Sequence, residues 1–307
     1  MIKKKIIIGT RGSKLALIYA DIAKKKLLEF KDEYNFDEVL IKKIKTEGDE
    51  IQTVRLSDTG GKGLFSKKIE EELKERKIDV AIHALKDMPS IETKGLQTKY
   101  FLERNDPREV LISKNKKILK EQKKGSIIGT SSLRREFQVK SKNSSFKFKL
   151  IRGNVDTRIK KLKDGSYDGI ILSLTGVKFL NLEENISQIF STSEMIPSVG
   201  QGIIALQCRE NDFEIQDILK NINHDQTQKC ANVERDILKT LEGDCDTAIG
   251  AHAKIENKKI FVEAELFSID GSKRFYIKAS KEIKHQDQLG KEIGKILKQK
   301  SNNSYRK

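Results

Sequence analysis

KKKIIIGTRGSKLALIYADIAKKKLLEF, residues 3–30, passes from a short apolar run into a segment with one apolar face. Residues 3–9 read as a buried strand. Ser13 is a favoured N-cap residue, and Ala16, Ala20, Ala23, Leu27 and Phe30 follow at steps of four and three, the spacing of one helical face. Ile7-Ile8-Gly9-Thr10 returns as Ile127-Ile128-Gly129-Thr130, again just ahead of serines, Ser131 and Ser132, that open a helix. Each strand therefore runs into a helix N-terminus, where unpaired N–H groups and the helix dipole favour anions. Two such ends, from two α/β domains, predict one cleft facing both.

Working outward, residues 39–46, 78–84, 126–130, 148–152 and 167–174 read as further strands. Ser66 is expected to cap a helix that buries Ile69 and Leu73, and residues 155–164 form another helix after Gly153-Asn154. The glycine-rich segment 47–63 reads as a lid-like loop. A third block differs in kind. Cys230, Val233, Ile237 and Leu241 share one helical face, strands follow at about 248–255, 259–269 and 273–283, and a last helix covers about 286–299. That is a small α+β unit with a three-stranded antiparallel sheet. Pro107 and Pro197 fall between blocks as hinges, and the tail 301–307 is expected to fray.

The 307 residues suit two or three domains. Three cysteines without C-x-x-C spacing exclude a disulfide framework and a zinc ribbon, and four scattered histidines give no metal site. No run approaches a membrane span or a secretory h-region, so the cytoplasm is expected. The net charge is +16, which reads either as lysine-rich composition or as attraction to a polyanion. Only 13 of the 61 basic residues are arginine, and four of those fall between Arg134 and Arg158. A guanidinium fork grips carboxylates in a way lysine cannot, so that cluster is more telling than the total charge.

Asp87 ends the very apolar run 78–84, where open α/β sheets hold their ligands. It reads either as a loop cap paired with Lys86 or as a carboxylate that stabilises a cation or moves a proton. Arg11, Arg134, Arg135, Arg152 and Arg158 read either as a solvated face or as a polycarboxylate or phosphate site. An arginine at a positive helix end needs an anion to offset it. Gly60-Gly61-Lys62-Gly63 lacks the order of a phosphate loop. Cys245 follows a helix in a tight loop and, taken alone, reads as a small buried hydrophobe.

Taken together, IGTRGSKLAL (8–17), GGKGLF (60–65), DVAIHALKDMP (79–89), GTSSLRR (129–135), RGNVDTR (152–158), VGQG (199–202) and LEGDC (241–245) closely resemble the porphobilinogen deaminase (hydroxymethylbilane synthase) family, in its order and spacing. The resemblance implies two periplasmic-binding-protein-like (type II) α/β domains around a cleft, residues 1–103 with 201–220 and residues 107–197. It implies a third domain at 224–307. It also implies a transferase of porphyrin and haem biosynthesis that joins four porphobilinogens head to tail with loss of ammonia, then releases the linear tetrapyrrole by hydrolysis. The chain would grow on a dipyrromethane cofactor held by a thioether to Cys245. Asp87 would oppose the cationic azafulvene left when ammonia departs. Lys86, Ser132, Arg134, Arg135 and Arg158 would lean toward the primer, and Arg11, Ser13, Arg152, Gln201, Lys62 and Phe65 toward incoming substrate.

No metal, nucleic acid or membrane partner is implied, and a monomer is expected. Several residues depart from the family pattern. Asp244 and Asp246 flank Cys245 and should raise its thiol pKa, slowing primer attachment. Asp58 and Phe179 stand where many members carry a lysine and an arginine. Two other readings compete: a non-catalytic anion-binding clamp, and nucleic-acid binding. Aromatic residues are only 6%, and no RNA-binding or zinc-finger pattern is present to support the latter.

Overall fold

The structure is a computed structural model that describes residues 5–50, 63–244 and 247–306. Its first elements are β1 (Lys5–Arg11), α1 (Lys14–Leu28), β2 (Glu38–Ile44), α2 (Glu47–Glu50), α3 (Lys67–Lys74), β3 (Val80–Ala84) and β4 (Leu96–Phe101). Next come β5 (Glu109–Ser113), β6 (Ile127–Gly129), α4 (Leu133–Lys140), β7 (Lys147–Lys149), α5 (Val155–Lys163), β8 (Gly169–Ser173), α6 (Leu174–Phe179) and β9 (Gln188–Ile189). The chain ends with β10 (Ile204–Arg209), α7 (Phe213–Ile222), α8 (Asp225–Thr240), β11 (Ile249–Glu256), β12 (Lys259–Phe267), β13 (Arg274–Glu282) and α9 (Gln286–Ser301). These divide into two compact units. Among the described residues one holds 5–50, 63–105 and 202–229, and the other holds 106–201, 230–244 and 247–306.

The first unit has one five-stranded sheet in the order β2-β1-β3-β10-β4. β1 is parallel to both β2 and β3, while β10 runs antiparallel between β3 and β4. The second unit has a sheet of the same plan, β7-β6-β8-β5-β9, with β6 parallel to β7 and β8, and β5 antiparallel to β8 and β9. The repeated Ile-Ile-Gly-Thr lies at the middle strand of the parallel three in each sheet. A second shared device supports the correspondence. The Asp79 carboxylate accepts the Ile7 N–H at 2.9 Å and the Asp79 N–H donates to the Ile7 carbonyl at 2.8 Å. Asp168 does the same with Ile127, at 2.7 and 2.9 Å. In both sheets an aspartate ahead of the next strand ties it to the start of its parallel neighbour.

The second unit also carries the three-stranded antiparallel sheet β11-β12-β13. Its core joins Val233, Ile237 and Leu241 to Val262, Ala264, Leu266, Leu289, Ile293 and Leu297. Gly290 and Gly294 let α9 approach α8 closely, since a Cβ would stand 2.4 Å from the Val233 carbonyl or 2.6 Å from the Thr240 Cβ. Phe137 of α4 packs against Phe267 of β12 with ring centres 5.9 Å apart, so helix and sheet share a small core with Ala248.

Three expectations are corrected. Ser66 does not cap α3 with its side chain; its hydroxyl donates to the Gly63 carbonyl instead. The strand expected at 148–152 is short and ends at Lys149, because residues 150–154 turn away through Gly153 at a φ of +112°. Residues 301–306 of the tail are packed rather than frayed. Tyr305 is buried, and its hydroxyl donates to the Leu241 carbonyl at 3.0 Å.

Candidate functional site

In the first unit β1 and β3 are neighbours and parallel, so both deliver their last residues to one end of the sheet. The Thr10 hydroxyl, fully buried, donates to the Ile82 carbonyl at 3.3 Å and holds the two strand ends together. Ser13 then caps α1, accepting from the Ala16 N–H at 3.3 Å. Beyond β3 the chain makes a single 3-10 turn, Leu85–Asp87. The Leu85 N–H donates to the Ile203 carbonyl at 3.0 Å, and the Met88 N–H to the Leu85 carbonyl at 3.1 Å. Leu85 and Met88 are buried and anchor the turn, which leaves Lys86 and Asp87 half-buried between them.

The Asp87 side chain is 36% exposed, and Arg11 Nη1 lies 4.0 Å from its Oδ2. The Arg11 guanidinium stacks 3.9 Å above the Phe65 ring, a contact that fixes it without neutralising it. Gly48 makes room for that ring, since a Cβ there would come within 2.4 Å of it. Burial pushes the Tyr19 phenol well up, and the Asp87 charge adds to the effect. His83 is buried on β3, and burial pulls its imidazole down against the nearby Glu70 charge. Its Nε2 donates to Gln207 Oε1 at 3.2 Å, the Gln207 amide nitrogen being turned to Glu70. Gln207 passes the chain on to Glu70 at 3.0 Å, and the Thr93 hydroxyl donates to Glu70 at 2.8 Å. This polar line through the sheet was not singled out in the sequence.

In the second unit Ser132 caps α4, accepting from the Arg135 N–H at 3.4 Å. Arg134 and Arg135 do not splay outward from that helix end. Their side chains are only 4% and 8% exposed, and both grip Glu109, which is fully buried. Arg134 Nη2 lies 2.6 Å from Glu109 Oε1, while Arg135 Nε and Nη2 reach Oε1 and Oε2 at 3.1 and 2.8 Å. Arg134 also donates to Gln138 at 3.1 Å and to the Ile196 carbonyl at 2.9 Å, and Arg135 to the Ile171 carbonyl at 3.1 Å. Burial, opposed by Glu109, pulls the Arg134 guanidinium below its ordinary value, yet a guanidinium keeps its proton in such a setting. Gln138 bonds onward to buried Glu265, which accepts from Arg274 Nε at 2.6 Å.

Arg152 and Arg158 are half-buried on either side of the Gly153 turn. Arg158 Nε donates to the Gly153 carbonyl at 2.7 Å. Gln201 is 1% exposed and donates from Nε2 to the Pro107 carbonyl at 2.7 Å. Its neighbour Gly200 donates its N–H to buried Glu234 at 2.7 Å, and Glu234 also accepts from the Ala253 N–H at 2.7 Å.

The structure thus brings Arg11, Ser13, Phe65, Lys86 and Asp87 to one end of the first sheet. It places Ser132, Arg134 and Arg135 at one helix start in the second unit. Lys62, Asp58, Cys245 and Asp246 lie outside the described residues. The two ends that flank residues 245–246 are tied to each other: Thr247 N donates to the Asp244 carbonyl at 2.9 Å, and Asp244 N to the Thr247 hydroxyl at 3.0 Å. Glu109 was missed in the sequence. A charged residue at the head of the apolar run EVLIS, 109–113, is the signal that would have found it. Among the described residues no helix is long and apolar enough to cross a membrane, and no group of three His, Cys, Asp or Glu side chains could hold a metal ion.

The model for "Porphobilinogen deaminase, dipyromethane cofactor binding domain" matches residues 6–217, and that for "Porphobilinogen deaminase, C-terminal domain" matches residues 228–299. The chain is 39% identical over 295 residues to a porphobilinogen deaminase of Chloroherpeton thalassium, covering 95% of this chain and 93% of the relative. It is 40% identical over 295 residues to one of Alkaliphilus metalliredigens, covering 96% and 92%. Among solved structures it overlaps the methionine-binding protein MetQ with a TM-score of 0.43 and 14% identity, over 74% of this chain and 90% of that one. The fold described above rests on the sheet orders and not on that overlap.

Proposed function

The chain belongs to the porphobilinogen deaminase family, and from that premise we propose which of its own residues carry the reaction. The activity is that of hydroxymethylbilane synthase, a transferase of tetrapyrrole biosynthesis. Four porphobilinogens condense head to tail on a dipyrromethane primer with loss of ammonia, and water releases the linear product.

Asp87 is the catalytic group, and its placement carries the reading. A partly exposed carboxylate at the carboxyl end of β3, with Arg11 4.0 Å away, is open to an approaching ring. It can accept from pyrrole N–H groups and oppose the positive charge that a ring holds once ammonia has left. At about 4 Å and an effective dielectric near 20, such a pair is worth roughly 4 kcal/mol, or about a thousandfold in rate. Asp87→Asn should therefore lower turnover about a thousandfold with the far-UV circular dichroism spectrum unchanged. Turnover within tenfold of the parent would remove Asp87 from this role.

The residues present fit a dipyrromethane. Its ring N–H groups need a carboxylate and its acid side chains need cations, and the half-buried Asp87 and Lys86 offer one of each. When bound, that group supplies the electron-rich ring carbon to which substrate is joined. We assign its attachment to Cys245 through a thioether. Of the other two thiols, Cys208 is buried and pushed up to about 11 by that burial, and Cys230 is buried as well. Intact mass should exceed the sequence mass by two linked pyrroles, and Cys245→Ser should abolish the excess.

We further assign Ser132, Arg158 and Lys86 to the primer's carboxylates, with Arg134 and Arg135 acting from behind, their guanidinium groups held on Glu109. Arg11, Ser13, Arg152, Lys62 and Phe65 are assigned to incoming substrate. Gln201 acts from beneath, through its bond to the Pro107 carbonyl. We keep three domains, residues 1–103 with 201–220, 107–197 and 224–307, and a monomer. Of the exposed large apolar side chains, Leu40, Phe213 and Ile296 fall on β2, α7 and α9 and Ile91 on the connection ahead of β4. The cytoplasm is our proposed compartment, and neither Cys208 nor Cys230 forms a disulfide.

A further inference from the structure

We propose that the end of the second unit's five-stranded sheet remote from Ser132 is a docking face for the phosphate backbone of double-stranded nucleic acid, held by charge and blind to base sequence. Strands β6, β7 and β8 are parallel, so all three begin at that end, and β5, antiparallel to β8, finishes there with Ser113. The connection from β5 to β6 passes the start of β8, where the Lys114 N–H donates to the Asp168 carbonyl at 2.9 Å. Residues 114–124, KNKKILKEQKK, hold six lysines and one glutamate, and all six lysines are exposed. Lys147 opens β7 at the same end. A Cβ at Gly165, just past α5, would stand 3.7 Å from Lys114 Nζ, which brings Lys163 there as well. Eight lysines thus stand against three carboxylates, Glu121, Asp164 and Asp168, a net of +5 in a chain whose whole excess is +16.

Elsewhere on the surface lysines are answered by neighbours. Lys25, Lys42, Lys140 and Lys220 each hold a carboxylate at 2.7–2.9 Å. Among the described residues none of the eight does, and Lys116 turns to the Glu184 carbonyl. Lysine-rich composition alone does not gather unanswered lysines at one end of a sheet. Nor do they ride on a loose loop. The Ser113 hydroxyl and Gln122 Nε2 both donate to the Lys117 carbonyl at 2.7 Å, the Leu119 N–H to Gln188 at 2.8 Å, and the Gly125 N–H to the Ser145 carbonyl at 3.0 Å. Leu119 packs on the core beneath. The backbone that spaces the charges is therefore set before a partner arrives.

The makeup of this face selects its partner. It has no arginine, the residue whose fork reads guanine edges. The rings within it, Phe146 and Tyr167, are buried and offer no platform for stacking. A stable protein interface needs an apolar centre and is poor in lysine, and none of the exposed large apolar side chains lies on these segments. For the same reason a membrane held here would lack the second, apolar anchor that lasting attachment requires. Duplex nucleic acid is dense enough to be held by lysine alone, with one charge per about 1.7 Å of axis, and each phosphate that meets a lysine releases counterions. Ser132 follows the opposite end of β6, so the two faces do not compete.

The test is fluorescence anisotropy of labelled duplex DNA with the full-length protein over about 50–200 mM salt. About five phosphate contacts give a slope of log K against log salt of about −4.5. Two duplexes of unrelated sequence should bind alike, and a strong preference for one overturns binding by backbone alone. Lys117→Gln, Lys120→Gln, Lys123→Gln and Lys124→Gln combined should weaken binding at least about tenfold at the lower salt and flatten the slope by about 3, with porphobilinogen turnover unchanged. Lys31→Gln, Lys94→Gln, Lys295→Gln and Lys300→Gln combined remove the same charge from exposed positions elsewhere, and should cost less than about twofold. Equal losses in the two variants, or parent affinity in the first, overturn the docking face. Tighter binding at equal salt to phosphatidylserine vesicles or to polyglutamate overturns the choice of nucleic acid. Should the first variant fail to fold, acetylation of the parent's lysines with and without duplex decides. Shielding of Lys117, Lys120, Lys123 and Lys124 ahead of Lys31 and Lys295 supports the face, and uniform reactivity overturns it.

Discussion

Replacing Glu109 with glutamine tests the buried centre of the second unit. Glu109→Gln keeps the side chain's shape and one accepting oxygen. It turns the other oxygen into an N–H donor aimed at guanidinium donors 2.6–3.1 Å away. Arg134 and Arg135, both almost without contact with water, are then left with no charge between them to answer theirs. Removing one partner of such a buried pair costs about 3–5 kcal/mol. For a unit of about 170 residues, 1 kcal/mol moves the melting point by about 2–4 °C, so a fall of about 6–20 °C is expected. The chain has no tryptophan, so unfolding in urea is best followed by circular dichroism, reading the midpoint at unchanged slope. A loss below about 1 kcal/mol would refute the reasoning and mean that water reaches the cluster. The triple variant Glu109→Leu, Arg134→Met, Arg135→Leu should regain most of the loss, since an apolar set of similar volume carries no desolvation penalty.

Gly271 stands at a φ of +73°, and a Cβ there would come within 2.4 Å of the Phe137 ring, whereas Gly125 at +83° has nothing within 4 Å. Gly125→Ala should cost about 1–2 kcal/mol for the left-handed backbone alone, and Gly271→Ala about 2–4 kcal/mol with the clash added; equal costs in urea titrations would show that Phe137 gives way freely. Asp270 is held down to about 2, first by the Ser268 hydroxyl and then by the Ser272 N–H and hydroxyl. A carboxyl held below its ordinary value adds stability above about pH 4 that disappears as pH falls through about 2. The stabilities of parent and Asp270→Asn should therefore converge over that window, and a constant difference down to pH 2 would contradict the assignment.

The strands that proved legible were those with a local signature. In the sheet β11-β12-β13 the last strand alternates exposed and half-buried residues, and the turns at Glu256-Asn257 and Asp270-Gly271 punctuate the chain, so its three strands fell close to where the sequence put them. β1 with its Ser13 cap was equally plain. What escaped were β4, β5 and β10, which are buried runs interrupted by polar residues. In IALQCR, 204–209, every residue is buried. Gln207 donates to Glu70, and Arg209, besides Asp212 three residues on, donates to Asp79 at 3.3 Å and to the Leu73 and Ile78 carbonyls, partners more than 120 residues away in sequence. A buried polar side chain looks like a surface residue until its distant partner is known. The same holds at the candidate site. The sequence required an anion for Arg134 and Arg135, and the one in the structure is the chain's own Glu109, 25 residues upstream. Asp87, by contrast, needed only the end of an apolar strand to be noticed.

The position of β10 bears on the order in which the protein can be made. β10 lies between β3 and β4 and is paired to both, yet it follows them by roughly a hundred residues. While the ribosome works through residues 102–203, β3 and β4 have already been made and the strand that joins them has not. At about 5–20 residues per second that interval lasts on the order of 5–20 s. For that time the nascent chain carries two unpaired apolar edges, and its first sheet closes only when the late strand arrives and threads the gap.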